Sequence, residues 1–182
     1  VAGRFALVRA TDAGLSVKAA AAAFNVSPAT AHRWWHRWNY AHAIGDDHSR
    51  RAYVELHPDE RAATVTGFVE RALAFFAGHG IVAKRLMTDN GFTYTKNRSL
   101  RELLTGDGIR HLTTKPYRPR TNGKVERFHQ TMAREWAYGL TYRSHHQRNQ
   151  ALPYWLNHYN QARPHSSIGN RPPISRVHNV RG

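Results

Sequence analysis

Two carboxylates in this sequence stand where they could do chemistry. Asp89 closes the stretch "IVAKRLMTD" and is followed at once by Asn90 and Gly91. It is therefore expected at the C-terminal end of a strand, the edge at which α/β sheets place ligands. Glu126 lies one turn into "NGKVERFHQTM", a basic segment whose apolar residues have helical spacing. Val125, Phe128, Met132 and Trp136 form its core stripe, and Glu126 is about 100° round from Val125, on the side of Asn122, His129 and Gln130. The two acids are 37 positions apart. Brought together they repel unless a cation sits between them. Hard divalent ions fit oxygen ligands, and Mg²⁺ takes one or two carboxylates plus substrate phosphate. Phosphoryl transfer uses such a site to activate a water or 3′-hydroxyl and to stabilise the leaving oxygen. The plainer alternative is that Asp89 caps its turn and Glu126 pairs with Lys124 or Arg127.

The elements that must hold these acids can be read from periodicity. "YAHAI" and "RAYVELH" alternate with period two around "GDDHSR", which predicts a hairpin. Pro58, Asp59 and Glu60 open a helix whose stripe is Val65, Phe68, Val69, Ala72, Leu73 and Phe76, ended by Gly78 and Gly80. A buried strand ends at Asp89. A helix over about Arg98–Thr105, a strand "IRHLTT" and the loop "KPYRPRTNG" lead into a long helix over about Asn122–Ala137. A last helix near His146–Gln161 carries Leu152, Trp155, Leu156 and Tyr159, and the Pro-rich tail "RPHSSIGNRPPISRV" is expected on the surface. Strands in a run followed by alternating strand and helix predict a mixed α/β sheet.

Residues 1–39 read as a separate all-α module. Arg4–Ala13 forms a helix stopped by Gly14, and Ser16 caps "VKAAAAAF". In "NVSPAT", Asn25 tolerates the left-handed conformation, Ser27 caps and Pro28 fits the first helical position. Two short helices so joined, the second basic, match a helix-turn-helix, with Thr30, Arg33 and Arg37 as candidates for a DNA groove. Trp34, Trp35 and Trp38 are assigned to packing. A pair of helices with no ligand is the alternative. The remainder divides into a core, residues 40–140, and a C-terminal helix with a basic tail, residues 141–182.

Bulk charge points the same way. The chain has 182 residues, 27 Lys+Arg against 12 Asp+Glu, a formal charge of +15 and pI near 11. Residues 110–182 hold 13 of the basic residues and only Glu126 and Glu135. A polyanion is the natural partner, since each neutralised phosphate releases counterions. With no cysteine, disulfides, thiol nucleophiles and Cys-zinc sites are excluded. No apolar run is long enough to span a bilayer, and "VAGRFALVRATDAG" is too polar for a secretory segment, so a cytoplasmic location is expected.

Three ordered motifs carry a resemblance. "MTDNGFTY", "KPYRPRTNGKVERFHQTM" and "YN" with "RPHSSIGNRPP" resemble the DDE transposases of bacterial insertion sequences, which share the integrase catalytic core with retroviral integrases. The likeness runs from about Tyr40 to Val177. It implies a ribonuclease H-like fold in which three carboxylates hold two Mg²⁺ or Mn²⁺ ions, and a homo-oligomer that acts on double-stranded transposon ends and target DNA at the bacterial nucleoid. Asp89 matches the second acid and Glu126 the third. Lys115, Tyr117, Arg118, Arg120, Asn122, Lys124 and Arg127 fall in the loop and helix that the family turns toward DNA.

The first acid of that family stands in the middle of the first, central strand, upstream of the hairpin. Here only Asn39 separates Trp38 from Tyr40, so the strand is missing and two of three carboxylates of a polynucleotidyl transferase remain. Asp46 and Asp47 belong to the turn between the next two strands and are read as shaping it. The sequence therefore describes an impaired transposase, a non-catalytic DNA-binding remnant or an internally deleted product without function. If the second helix of the module enters a groove, Arg33→Ala or Arg37→Ala will weaken DNA binding in a titration at fixed salt; unchanged affinity contradicts that placement.

Overall fold

Alanine-rich and hairpin segments fold as their propensities direct in a computed structural model that describes Leu7, Ala10, Thr11 and residues 15–31, 40–114 and 123–177. Helix α1, Val17–Ala23, starts at Ser16, whose side chain accepts from the Ala19 amide. Asn25 takes the left-handed conformation, φ 50°, and Ser27 accepts from the Thr30 amide at 3.1 Å. Leu7, Ala20, Ala21 and Ala31 form a small core of their own, edged by Val17, Phe24 and Val26.

The hairpin comes next. Strand β1, Tyr40–Gly45, pairs antiparallel with β2, Ala52–His57, in a register from Tyr40 opposite His57 to Gly45 opposite Ala52. Asp46 closes the turn, its carboxylate accepting from the Ser49 amide at 2.7 Å and the Ser49 hydroxyl at 2.6 Å, while Arg50 takes φ 68°. Helix α2, Ala62–Ala77, begins later than its acids imply. Asp59 lies outside it and reaches in to accept from the Thr64 hydroxyl at 2.6 Å.

Strand β3, Arg85–Thr88, helix α3, Phe92–Thr95, helix α4, Arg98–Gly106, and strand β4, Arg110–Thr113, follow, with β4 parallel to β3. Helix α5, Gly123–Met132, runs straight into a π-helical turn, Ala133–Ala137, and helix α6, His145–Gln161, folds back on it. The tail is not merely laid over the surface. Short 3₁₀ turns at Ser166–Ile168 and Pro173–Arg176 bury Ile168, Pro173 and Val177.

The described strands form two sheets of two, β1–β2 and β3–β4. Hydrogen-bond parity says which edges are left. The Asp46 amide donates to the Arg51 carbonyl, so alternation pairs Ile44 and His42 with β2 and turns the backbone groups of Ala41, Ala43 and Gly45 away from it. On the other sheet, Arg110 donates to Lys84 and Thr114 to Thr88, which turns the backbone of Arg85 and Met87 outward. Both half-sheets nevertheless rest on one helical layer. Val65, Phe68 and Val69 of α2 and Leu100 and Leu104 of α4 form a core with Leu86 and Ile109, and Ile44 and Tyr53 of the hairpin pack against the same cluster.

Among the described residues, the opposite face is covered on the hairpin side. Val54 packs with Met132, Trp136 and Leu152, flanked by Ala41, Ala43 and Leu56. Met87, on the opposite face of β3 from Leu86, is 47% exposed. The outer edge of β2 is closed by a side chain: the Asn160 amide of α6 accepts from the Ala52 N–H and donates to the Ala52 carbonyl, both at 2.8 Å and both buried. One amide thus stands in for a neighbouring strand. Asn160→Ala strips both partners from a buried peptide group and is expected to cost about 3 kcal/mol, a fall in Tm of roughly 10 °C by thermal denaturation; an unchanged Tm contradicts the clamp.

Candidate nucleic-acid and metal site

Asp89 follows the last residue of β3, as its position in the sequence predicts. Its carboxylate is exposed and accepts from the Gly91 amide at 2.8 Å, so it does shape its own turn. A Cβ at Gly91 would come within 2.9 Å of that carboxylate oxygen, so a larger residue there would push the Asp89 side chain aside. Asn90 donates to the Thr114 carbonyl at 2.8 Å and ties this turn to the end of β4. The Thr88 hydroxyl and the His111 ring, 2.9 Å apart, link the two strands one residue earlier. Burial pushes the Tyr94 hydroxyl up, with Asp89 and Glu60 adding to the shift, so both acids act on this one ring.

Glu126 is exposed on the first turn of α5. Phe128, Met132 and Trp136 face inward as their spacing requires, but Val125 is 41% exposed and lies outside the stripe. His129 is half-buried, and burial lowers its pKa, so it adds no charge beside Glu126 at neutral pH. The far end of the helix is fixed more firmly. Glu135 in the π-turn accepts from Arg163 at 2.7 and 2.9 Å and from the Trp155 indole at 3.3 Å. Burial alone would raise the Glu135 carboxyl, yet these donors bring it down. Gly139 ends the turn where a Cβ would meet the Arg134 carbonyl at 2.5 Å.

Of the residues assigned to DNA, Thr30, Lys124 and Arg127 can be placed; Arg33, Arg37, Lys115, Tyr117, Arg118, Arg120 and Asn122 lie outside the described residues. Thr30 is partly exposed and its hydroxyl accepts from Ser27 at 2.9 Å. Arg127 is exposed on α5. Lys124 does not pair with Glu126; it donates to Asp47 on the β1–β2 turn, which Arg50 also reaches at 2.9 Å. Of the two turn acids, only Asp46 shapes the loop. Asp47 is a cation partner, its carboxyl lowered first by the Lys124 hydrogen bond and further by Arg50. A contact between positions 47 and 124 leaves no signal in local spacing.

A three-carboxylate site needs a third acid, and the hairpin acids are otherwise engaged. Asp46 serves Ser49, Asp47 serves Lys124 and Asp59 serves Thr64. Glu55 sits in a network on the α2 side of the hairpin, bidentate to Arg71 at 2.8 Å and accepting from the Tyr53 hydroxyl, with His57 beside it. Among the described residues no three His, Asp or Glu side chains group to hold a metal ion. With no group of three such side chains among the described residues, Asp89 and Glu126 supply too few oxygens for a pair of ions, so the described residues do not fit the two-metal site that the resemblance implies.

Residues 23–119 match the integrase core domain family, and residues 107–173 match the same domain again. An uncharacterized 39.2 kDa protein of insertion element IS476 from Xanthomonas euvesicatoria is 31% identical over 140 residues, which is 76% of this chain and 39% of that protein. The chain spans about two-fifths of the length of the curated relatives it matches first. Among solved structures, the catalytic core domain of BIV integrase aligns with a TM-score of 0.60 at 23% identity, covering 78% of this chain and 86% of that one. The HTLV-2 integrase catalytic core, solved in complex with magnesium, aligns at 0.57 and 18% identity over 77% and 85%. The fold is therefore that of a ribonuclease H-like integrase core whose described strands fall into two pairs, and the chain belongs to the integrase core family.

The Glu55 network has a defined pH signature. Burial alone would raise this carboxyl, but hydrogen bonds from Arg71, Tyr53 and His57 outweigh it and lower it from 4.5 to about 2. A depressed folded pKa stabilises the fold above the unfolded value and loses that contribution as pH falls toward the folded one. Wild type is thus expected to exceed Glu55→Gln in Tm at neutral pH, and the margin will shrink as pH falls from about 4.5 to 2. A margin independent of pH contradicts the network.

Proposed function

We propose that this chain is a transposase-class protein that binds double-stranded DNA and whose metal-dependent strand cleavage and transfer are impaired. The observation that carries the reading is the junction at β1. The sequence passes from Trp38 through Asn39 into a strand already paired with β2, and the strand that bears the family's first acid has no residues to form it. Asp89 and Glu126 are the remaining catalytic and metal-binding acids, and Mg²⁺ or Mn²⁺ is the metal they would take if the chain is catalytically competent. What supports DNA binding is the charge excess of residues 110–182, the exposed Arg127 and the basic run from His32 to Arg37 that the sequence assigns to the second helix of the N-terminal module.

In this reading residues 1–39 are a helix-turn-helix DNA-binding module, 40–140 the incomplete core, and 141–182 its C-terminal helix and basic tail. Thr30, Arg33, Arg37, Lys115, Tyr117, Arg118, Arg120, Asn122, Lys124 and Arg127 contact DNA. The protein works in the bacterial cytoplasm at the nucleoid, as a homo-oligomer on DNA. It occupies transposon ends or joins the oligomer of an active relative and interferes with it.

The test is nicking of supercoiled plasmid with Mn²⁺ beside a gel-shift assay, with Glu126→Gln run in parallel to expose contaminating nuclease. The expected result is shifted DNA and no nicking above the Glu126→Gln control. Nicking that disappears in the variant would mean that a third carboxylate is recruited and the chain is a working enzyme.

A further inference from the structure

The β1–β2 turn holds an arrangement that neither the fold nor the chemistry of Asp89 and Glu126 requires. Asp46 alone closes the turn through Ser49. Its neighbour Asp47 uses one carboxylate oxygen to accept both from Arg50 across the turn and from Lys124 of α5. The Asp47 side chain is 76% exposed and that of Lys124 59%, so water and salt screen the pair and it holds weakly. Arg50 has little freedom to leave. Its backbone is locked at φ 68° and its side chain is 22% exposed, with an Nε that is buried and meets no hydrogen-bond partner among the described residues. Arg127 stands three residues beyond Lys124 on the same helix and is exposed. Two cations from different elements, Lys124 of α5 and Arg50 of the turn, thus share the one carboxylate of Asp47.

This inference deepens the DNA-binding reading and rests on it. We propose that Asp47 is a brake on DNA binding: in the free protein it occupies Lys124 and Arg50, and a DNA phosphate must displace it to reach them. A phosphate makes the same charge-assisted bonds to an ammonium and a guanidinium as a carboxylate does. Lys124 rides on an exposed, flexible stem, so it can change partner without moving α5. Asp47 then stands beside the phosphate as an uncompensated negative charge and opposes the complex that it has given way to. Binding becomes weaker and more easily reversed than the local positive charge alone would make it, and the opposition fades as salt screens it.

The experiment is a fluorescence-anisotropy titration of the full chain with a labelled duplex oligonucleotide at several salt concentrations. The proteins are wild type, Asp47→Asn, Lys124→Ala and the double variant. Asp107→Asn, an exposed acid at the end of α4, reports what the loss of any one negative charge does. Asp47→Ser repeats the removal with a second side chain, and a thermal melt verifies that each variant is folded. The expected result is that Asp47→Asn tightens binding by about 3-fold at low salt, more than Asp107→Asn does, and that the gain shrinks both at high salt and in the Lys124→Ala background. A gain no larger than that of Asp107→Asn, or one untouched by Lys124→Ala, overturns the brake while leaving DNA binding in place. Binding by none of the proteins overturns the DNA-binding reading itself, and the brake with it.

Discussion

The packing of α2 beneath both half-sheets is the interaction on which the rest of this core depends. Val65, Phe68 and Val69 meet Leu86 and Ile109 from one half and Ile44 and Tyr53 from the other. An intact sheet transmits position from strand to strand through backbone hydrogen bonds. Here the described strands stop at β1 and β3, and apolar contact with one helical layer replaces that ladder. Such contact is strong but not directional. It keeps the halves in one fold while specifying their separation less tightly than paired strands would.

The consequences for the site follow from where each acid is anchored. Asp89 belongs to the β3–β4 half and is fixed to it through Gly91 and through the link from Asn90 to Thr114. Glu126 belongs to α5, whose buried residues Met132 and Trp136 pack on Val54 of the hairpin half and whose end is held by Arg163. The two acids that matched the family by sequence therefore ride on different halves of a divided sheet. In the proposed reading, loss of the first strand removes one carboxylate and also the hydrogen-bonded connection that would set the geometry of the other two.

Much of the fold was legible in the sequence, because its signals are local. Period-two alternation located β1 and β2, helical stripes located α2 and α6, and the residues Ser16, Asn25 and Ser27 marked the cap of α1 and the turn that follows it. Local signals also failed where a long-range partner decides. Acids at 59 and 60 suggested an earlier start to α2, but Asp59 lies before it and accepts from the Thr64 hydroxyl on its first turn. The polar tail read as surface, yet Ile168, Pro173 and Val177 are buried and Asn160 just before it closes the edge of β2. Val125 fitted the stripe by spacing and is left exposed, since α5 covers only the hairpin half. Nothing in "GDDHSR" distinguishes Asp46 from Asp47; their different duties arise from Ser49 and from Lys124, 77 positions away from Asp47.

The divided sheet is most directly tested by amide hydrogen exchange resolved by residue. Ala41, Ala43 and Gly45 on β1 and Arg85 and Met87 on β3 turn their N–H groups to the open edges, whereas Ile44 and Leu86 beside them are paired. The account predicts fast exchange at the first group and strong protection at the second, an alternation along each strand. Equal protection at both would mean that another strand occupies the gap, and the sheet would be continuous after all.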